Sequence, residues 1–193
     1  SYLIAAVSEQ GIKIAEISLP QYPDVRGGLG TYGYATEAYV SADSSKLFVT
    51  CGEMGLMIFD ISDFQDGYPS SSIAGWCDTP GYALDVVLDD ARSLAFVACG
   101  YSGLQIIDYS DMSDIHVIGK ISKGGYAKEV LVEGNKVYLT CQKAGLQIFD
   151  VSDAANPSLA GTVYTDYAQG IAIDGKYIYV ADENDGLVVI EKP

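Results

Sequence analysis

The chain has 193 residues, of which 49% are hydrophobic and 21 are glycine, and it carries a formal net charge of −15. That length can bury a substantial core, while the charge argues against nucleic acid as a partner, since phosphate backbones are gripped by basic surfaces. No apolar run approaches the roughly 18 residues that mark a membrane-crossing helix, so no membrane span is expected.

The start, SYLIAAVSEQG, has neither the basic segment of a signal peptide nor an initiator Met, so the chain reads as a processed product or as part of a gene. It then opens the first of five related segments: Tyr2–Ser18, Leu47–Asp63, Ala95–Asp111, Val137–Asp153 and Ile178–Glu191. Their shared glycines are Gly11, Gly55, Gly103, Gly145 and Gly186, spaced 44, 48, 42 and 41 residues apart. A period of about 40–50 residues with several short strands per unit is the signature of a propeller-like array.

Within each unit the landmarks recur in one order. After G-L/I-x-I comes an acid and then a serine, as in Glu16/Ser18, Asp60/Ser62, Asp108/Ser110 and Asp150/Ser152. A glycine follows at Gly27, Gly75, Gly119 and Gly161, the second after a turn-rich insertion within Phe64–Ser72. Then comes Tyr-Ala, at Tyr34, Tyr82, Tyr126 and Tyr167. In the unit best suited to show it, strand A is read as Ala127–Val132, B as Lys136–Cys141, C as Gly145–Val151 and D as Ser158–Val163. Glu133-Gly134-Asn135 and Gln142-Lys143-Ala144-Gly145 supply the turns. No segment has a helical period.

A four-stranded sheet that is apolar on both faces must bury both, and stacking such sheets around an axis does so. The expected fold is therefore all-β: a β-propeller, or propeller arc, of about five four-stranded blade units. The units fall at about 1–30, 34–76, 82–121, 126–164 and 167–193, as one domain. The first unit lacks strand A and the last lacks strand D. The termini thus do not complement one another, and either the ring has two strands missing or the chain is an arc of a larger ring.

The pattern G-L-x-I-x-D-x-S-D, a Pro-containing stretch, then G-Y-A-x-[DE]-V resembles the LVIVD-repeat family, most clearly at Thr79-Pro80-Gly81-Tyr82-Ala83 and at Asn156-Pro157. The first unit departs from it, reading Ala15-Glu16 and then ISLPQYP. The resemblance implies a β-propeller, found mostly in bacterial and archaeal proteins and often surface-associated or exported. It carries no general set of catalytic residues.

The four cysteines are Cys51, Cys77, Cys99 and Cys141, and three share one repeat position. Equivalent positions on neighbouring blades lie beyond disulfide reach, so these read as small buried hydrophobes. The D-x-S-D steps offer oxygen ligands but also suit Asx turns, the reading we prefer. Glu37, Asp85 and Glu129 enter the innermost strand and would stand at the mouth of a central channel. There they could hold a cation or a basic group, or bond the backbone of the next blade. No metal site and no cofactor are expected; calcium is the ion these carboxylates would suit.

Tyr34, Tyr82, Tyr126 and Tyr167 read either as packing anchors or, with Trp76 and Tyr101, as part of a contact surface. The loops before strand A and between B and C share one end of a propeller, and the B–C loops differ from unit to unit. A constant frame with one varied face is how repeat proteins build binding surfaces. The only histidine, His116, sits between apolar residues and reads as a half-buried strand residue, and no catalytic residue is assigned. The functional expectation is a non-catalytic protein- or glycan-binding or assembly module, extracellular or at the cell surface, with a cytoplasmic location left open. Two alternatives stand beside it. One is a structural subunit of a surface layer or filament, self-assembling through terminal blade edges. The other is an enzyme or calcium site built on the channel-mouth carboxylates.

Overall fold

The computed structural model describes residues 1–64, 72–122 and 124–192. Most of the insertion noted within Phe64–Ser72 and Lys123 lie outside them. Among the described residues, eighteen strands form five antiparallel sheets. The first sheet is β1 (Tyr2–Ala6), β2 (Ile12–Glu16) and β3 (Asp24–Leu29). The second is β4 (Glu37–Val40), β5 (Lys46–Thr50), β6 (Leu56–Asp60) and β7 (Ile73–Cys77). The third is β8 (Asp85–Asp89), β9 (Leu94–Ala98), β10 (Leu104–Asp108) and β11 (His116–Ile121). The fourth is β12 (Glu129–Glu133), β13 (Lys136–Thr140), β14 (Leu146–Asp150) and β15 (Ser158–Val163). The fifth is β16 (Ala168–Asp174), β17 (Tyr177–Asp182) and β18 (Gly186–Glu191).

Each sheet is a simple meander, so each strand lies beside its sequence neighbour. The first sheet starts at strand B and the last stops at strand C, as the repeat alignment requires. The inner strands pack in series, β4 on β8, β8 on β12 and β12 on β16, with β1 against β4. Among the described residues no comparable packing returns from β16 to β1, so the five blades form an arc. Among the described residues no helix is long and apolar enough to cross a membrane.

Alternation along each strand sends one set of side chains toward the preceding blade, its trailing face, and the other toward the following blade, its leading face. The leading residues Phe48, Leu56 and Ile58 meet the trailing residues Val86, Val97 and Ile107 in one buried cluster. Ile12 and Ile14 meet Leu47, Val49 and Phe59 in another. Each core is thus shared between two blades, which is why a single unit cannot fold alone.

Every C–D ladder carries a bulge at one place, after Ile14, Ile58, Ile106 and Ile148. The residues paired there are Gly27, Gly75, Gly119 and Gly161, the landmark glycines of strand D. At Gly75 a methyl group would come within 2.0 Å of the side chain of Ile115, on the next blade's C–D connection. That close approach is what a glycine permits.

All four cysteines are free and buried. Burial pushes the Cys51, Cys99 and Cys141 thiols up to about 12, leaving them small apolar fillers. His116 begins β11 as a strand residue, but its ring is exposed rather than half-buried: it turns out to solvent and bonds the carbonyl of Asp114 at 2.8 Å. At the end of the arc where strands A and B turn, Arg92 ties two blades together. It donates to Asp89 at 2.7 Å and to the carbonyl of Val151 at 2.9 Å.

Candidate functional site

The other end of the arc gathers the B–C turns, the D–A connections and the first residues of the inner strands. Here strand A of the fourth blade starts at Glu129, two residues later than the pattern suggests, because Ala127 pairs elsewhere. It bridges Gly100 in the preceding blade's B–C turn, with Ala127 N donating to Gly100 O at 2.9 Å and Gly100 N to Ala127 O at 3.2 Å. The same bridge joins Ser8 to Ala35, Gly52 to Ala83 and Gln142 to Ala168. All four alanines are buried, and this explains the Ala of Tyr-Ala. It is the link by which each blade docks on its predecessor.

The tyrosines of that motif lie over the same turns. Tyr82 covers Gly52, where a methyl group would come within 2.8 Å of the ring, and Tyr126 covers Gly100 at 3.0 Å. Tyr34 donates its hydroxyl to Glu9 at 2.9 Å, and that bond raises its pKa. The Tyr126 hydroxyl is raised first by burial and then by the charges of Tyr82, Tyr101 and Tyr167, so these rings gather in one field. Tyr101 stacks edge-on against Tyr126, with centroids 4.9 Å apart, and is 82% exposed. Tyr164 is 85% exposed, and Tyr32, Tyr34 and Trp76 are also open to solvent. Trp76 is held in place by its indole N–H, which donates to Met54 O at 2.6 Å. Of the repeated tyrosines, Tyr82, Tyr126 and Tyr167 are therefore partly buried at the joints, and Tyr34 joins the others in an exposed aromatic rim.

Inside the rim, a cavity of about 320 Å³ is lined by Thr36, Glu37, Leu84, Asp85, Lys128, Glu129 and Gln169. Two of the three carboxylates reach across a blade junction. Asp85 accepts from Val130 N at 2.7 Å and Glu129 from Ile171 N at 3.0 Å. Glu37 instead accepts from its neighbour Ala38 N at 2.9 Å. Burial pushes the Asp85 carboxyl up to about 6; the Val130 amide opposes this, and the charges of Glu129 and Glu37 add to it. Glu129 is raised for the same leading reason, burial. The fifth blade has Gly170 at this register, where a side chain would meet the Glu129 carboxylate at 3.0 Å.

Among the described residues no group of three or more His, Cys, Asp or Glu side chains is placed to hold a metal ion. The D-x-S-D acids close Asx turns. Asp60, Asp108 and Asp150 each accept from the amide two residues on, at 2.8–2.9 Å. Asp182 was missed in the sequence reading. It takes the position that Cys51, Cys99 and Cys141 hold in other blades and gathers the amides of Tyr167, Asn184 and Asp185 at 2.6–3.0 Å. Burial alone would raise its pKa, but those amides, with the Thr165 side chain, hold it at about 2. The signal was available in the alignment, as the one carboxylate at a cysteine position.

The sequence profile described as LVIVD repeat matches residues 80–122, 124–165 and 166–191, more than half of the chain. The chain belongs to the LVIVD repeat family. In LVIVD terms, each matched segment opens close to the Tyr-Ala bridge, so the repeat begins at the joint between blades. No curated protein sequence matches the chain. Among solved structures, a chain of the mitotic checkpoint complex superposes with a TM-score of 0.77 at 11% identity, over 100% of this chain and 61% of that one. The computationally designed protein Ika8 gives 0.72 at 8% identity, over 98% of this chain and 55% of that one. The designed protein Ika4 gives 0.69 at 7%, over 87% of this chain and 99% of that one. At such identities the likeness is one of fold. The LVIVD chain spans less than two thirds of the first two structures.

Proposed function

We infer that this LVIVD-repeat arc is a non-catalytic binding module whose contact surface is the end carrying the B–C turns. The observation that carries this is the exposed aromatic rim around an acidic centre. Tyr32, Trp76, Tyr101 and Tyr164 present large rings to solvent on one face, with Glu9, Glu53, Asp78, Asp166 and Glu183 among them. Large rings bury area at little entropic cost, and such residues dominate binding hot spots. Surrounding carboxylates and the net charge of −15 favour a partner bearing lysine or arginine, through steering and cation–π contact. A protein segment of that kind fits better than a glycan, and an extracellular or surface setting is part of the proposal.

Panning a random peptide library on the immobilised chain, in parallel with a glycan array, tests the reading. The expected result is enrichment of basic peptides. The double change Trp76→Ala and Tyr101→Ala should then weaken the selected peptides by at least about tenfold. The melting temperature should stay within a few degrees, because both rings lie on the surface. Enrichment only on the glycan array, or peptide affinity untouched by the double change, would contradict it.

A further inference from the structure

The blades also meet at the A–B end, and there one junction differs from the two that follow it. Between the third and fourth blades the gap is filled by Arg92. Its guanidinium reaches across to the carbonyls of Val151 and Gly134, at 2.9 and 3.4 Å, and lies 5.9 Å above the Phe96 ring. Between the fourth and fifth blades Lys192 takes this part, donating to both carboxylate oxygens of Glu133 at 2.8 Å. In each case a cation bridges two blades.

Between the second and third blades no such cation is found among the described residues. The A–B turns of these two blades have equal length, with Ser44 N donating to Ser41 O and Arg92 N to Asp89 O, so Ser44 stands where Arg92 does. A serine is too short to reach across. What remains is a cavity of about 410 Å³, lined by Ser41, Asp43, Asp90, Ser93, Tyr109 and Met112 among others. Tyr109 lies edge-on to Phe48, with centroids 4.8 Å apart, and Phe48 is fully buried, so Tyr109 and Met112 form the floor.

The walls are acidic. Asp90 accepts from the Tyr109 hydroxyl at 3.0 Å and from Ala42 N at 3.2 Å. Asp43 accepts from the hydroxyls of Ser41 and Ser45 at 2.7 and 2.9 Å and from Ser45 N at 3.0 Å. Neither carboxylate has an ion pair with a described residue. Lys46 also borders the cavity, but it is held by Asp60 of its own blade at 3.2 Å. The junction that lacks an internal cation is thus the one that offers carboxylates to an external one.

We propose that this cavity takes an arginine side chain of a partner polypeptide, with the guanidinium between Asp43 and Asp90 and the stem on Tyr109 and Met112. A planar guanidinium suits carboxylate oxygens and an aromatic floor better than an ammonium does. Free arginine would bring its own carboxylate beside an acidic wall, which favours an arginine within a chain. The site lies between two internal blades, at the end opposite the aromatic rim, and does not depend on the function read there.

Proton–nitrogen NMR of the 193-residue chain, titrated with Nα-acetylarginine N-methylamide, tests this. Saturable shifts are expected at Ala42–Ser45, Asp90–Ser93 and Met112, with an affinity of about 1 mM. Asp43→Asn, whose amide can keep the bonds to Ser41 and Ser45, should weaken binding by about threefold or more. Ser44→Arg should abolish the shifts, because its own side chain fills the gap; if that variant does not fold, Asp43→Asn decides alone. Trp76→Ala with Tyr101→Ala should leave the shifts unchanged, which separates this site from the aromatic end. Absence of saturable shifts at these residues overturns the proposal, and so does binding that Asp43→Asn leaves untouched. Tighter binding of free L-arginine than of the blocked compound marks a small-molecule site and overturns it too.

Discussion

Replacing Gly103 with alanine is expected to cost about 3 kcal/mol of stability, and the same change at Gly186 about 1 kcal/mol. Both glycines close a B–C turn with positive φ, +73° and +75°, so each alanine suffers the same backbone strain. The surroundings differ. At Gly103 the new methyl group would meet Ile121 O of strand D at 1.9 Å, and at Gly186 there is nothing within 4 Å. The last blade has no strand D, so the second cost vanishes there. Urea unfolding of the two variants measures the difference. Equal losses would mean that strand D does not press on the turn as described.

The second large effect is a dependence on pH. The Asp85 carboxyl is raised from its ordinary 3.8 to about 6, chiefly by burial. The folded chain therefore holds that proton more tightly than the unfolded chain. This contribution to stability is full below about pH 4 and is lost as pH rises to about 6, amounting to about 3 kcal/mol for two pKa units. Glu129 is raised as well and acts in the same direction. Asp43 and Asp60 act oppositely in a lower window. Serine hydrogen bonds hold both at about 2, so their contribution is present above about pH 4 and is lost as pH falls to about 2. Stability should therefore be greatest near pH 4. Asp85→Asn should flatten the limb between pH 4 and 6 and raise stability at pH 7, while its carbonyl still accepts from Val130 N. Thermal melts from pH 3 to 8 would show this. Parallel profiles for parent and variant would exclude Asp85 as the source.

Both effects rest on features of unequal visibility. The repeat itself was legible, because Gly11, Gly55, Gly103, Gly145 and Gly186 all take positive φ in the B–C turn and so stand out at a near-constant spacing. The eighteen strands and the missing A and D strands follow from counting landmarks, and the structure has them. What a landmark does was harder to read. Tyr-Ala looks like the start of a strand, yet its alanine pairs with the previous blade's turn, a contact between residues 27 apart in the case of Gly100 and Ala127. Local pattern holds no trace of such a partner. The carboxylates Asp85 and Glu129 were placed by register, and a bond to the backbone of the next blade was one of the readings offered for them; that Glu37 instead takes the amide of its own strand depends on side-chain geometry across a junction. The solvent-facing ring of His116 was misread because apolar neighbours on a strand say nothing about the face its side chain takes.

The central claim is that the frame of glycines, alanines and repeated tyrosines holds the blades together, and that the aromatic end makes the contact. Hydrogen–deuterium exchange with a peptide selected on the immobilised chain tests it most directly. The prediction is protection at Tyr32–Tyr34, Trp76–Asp78, Tyr101 and Tyr164–Tyr167 on binding, with the A–B turns at Gly134 and Gly175 unchanged. Protection confined to those A–B turns, or to β1 and β18, would place the contact elsewhere and contradict the account.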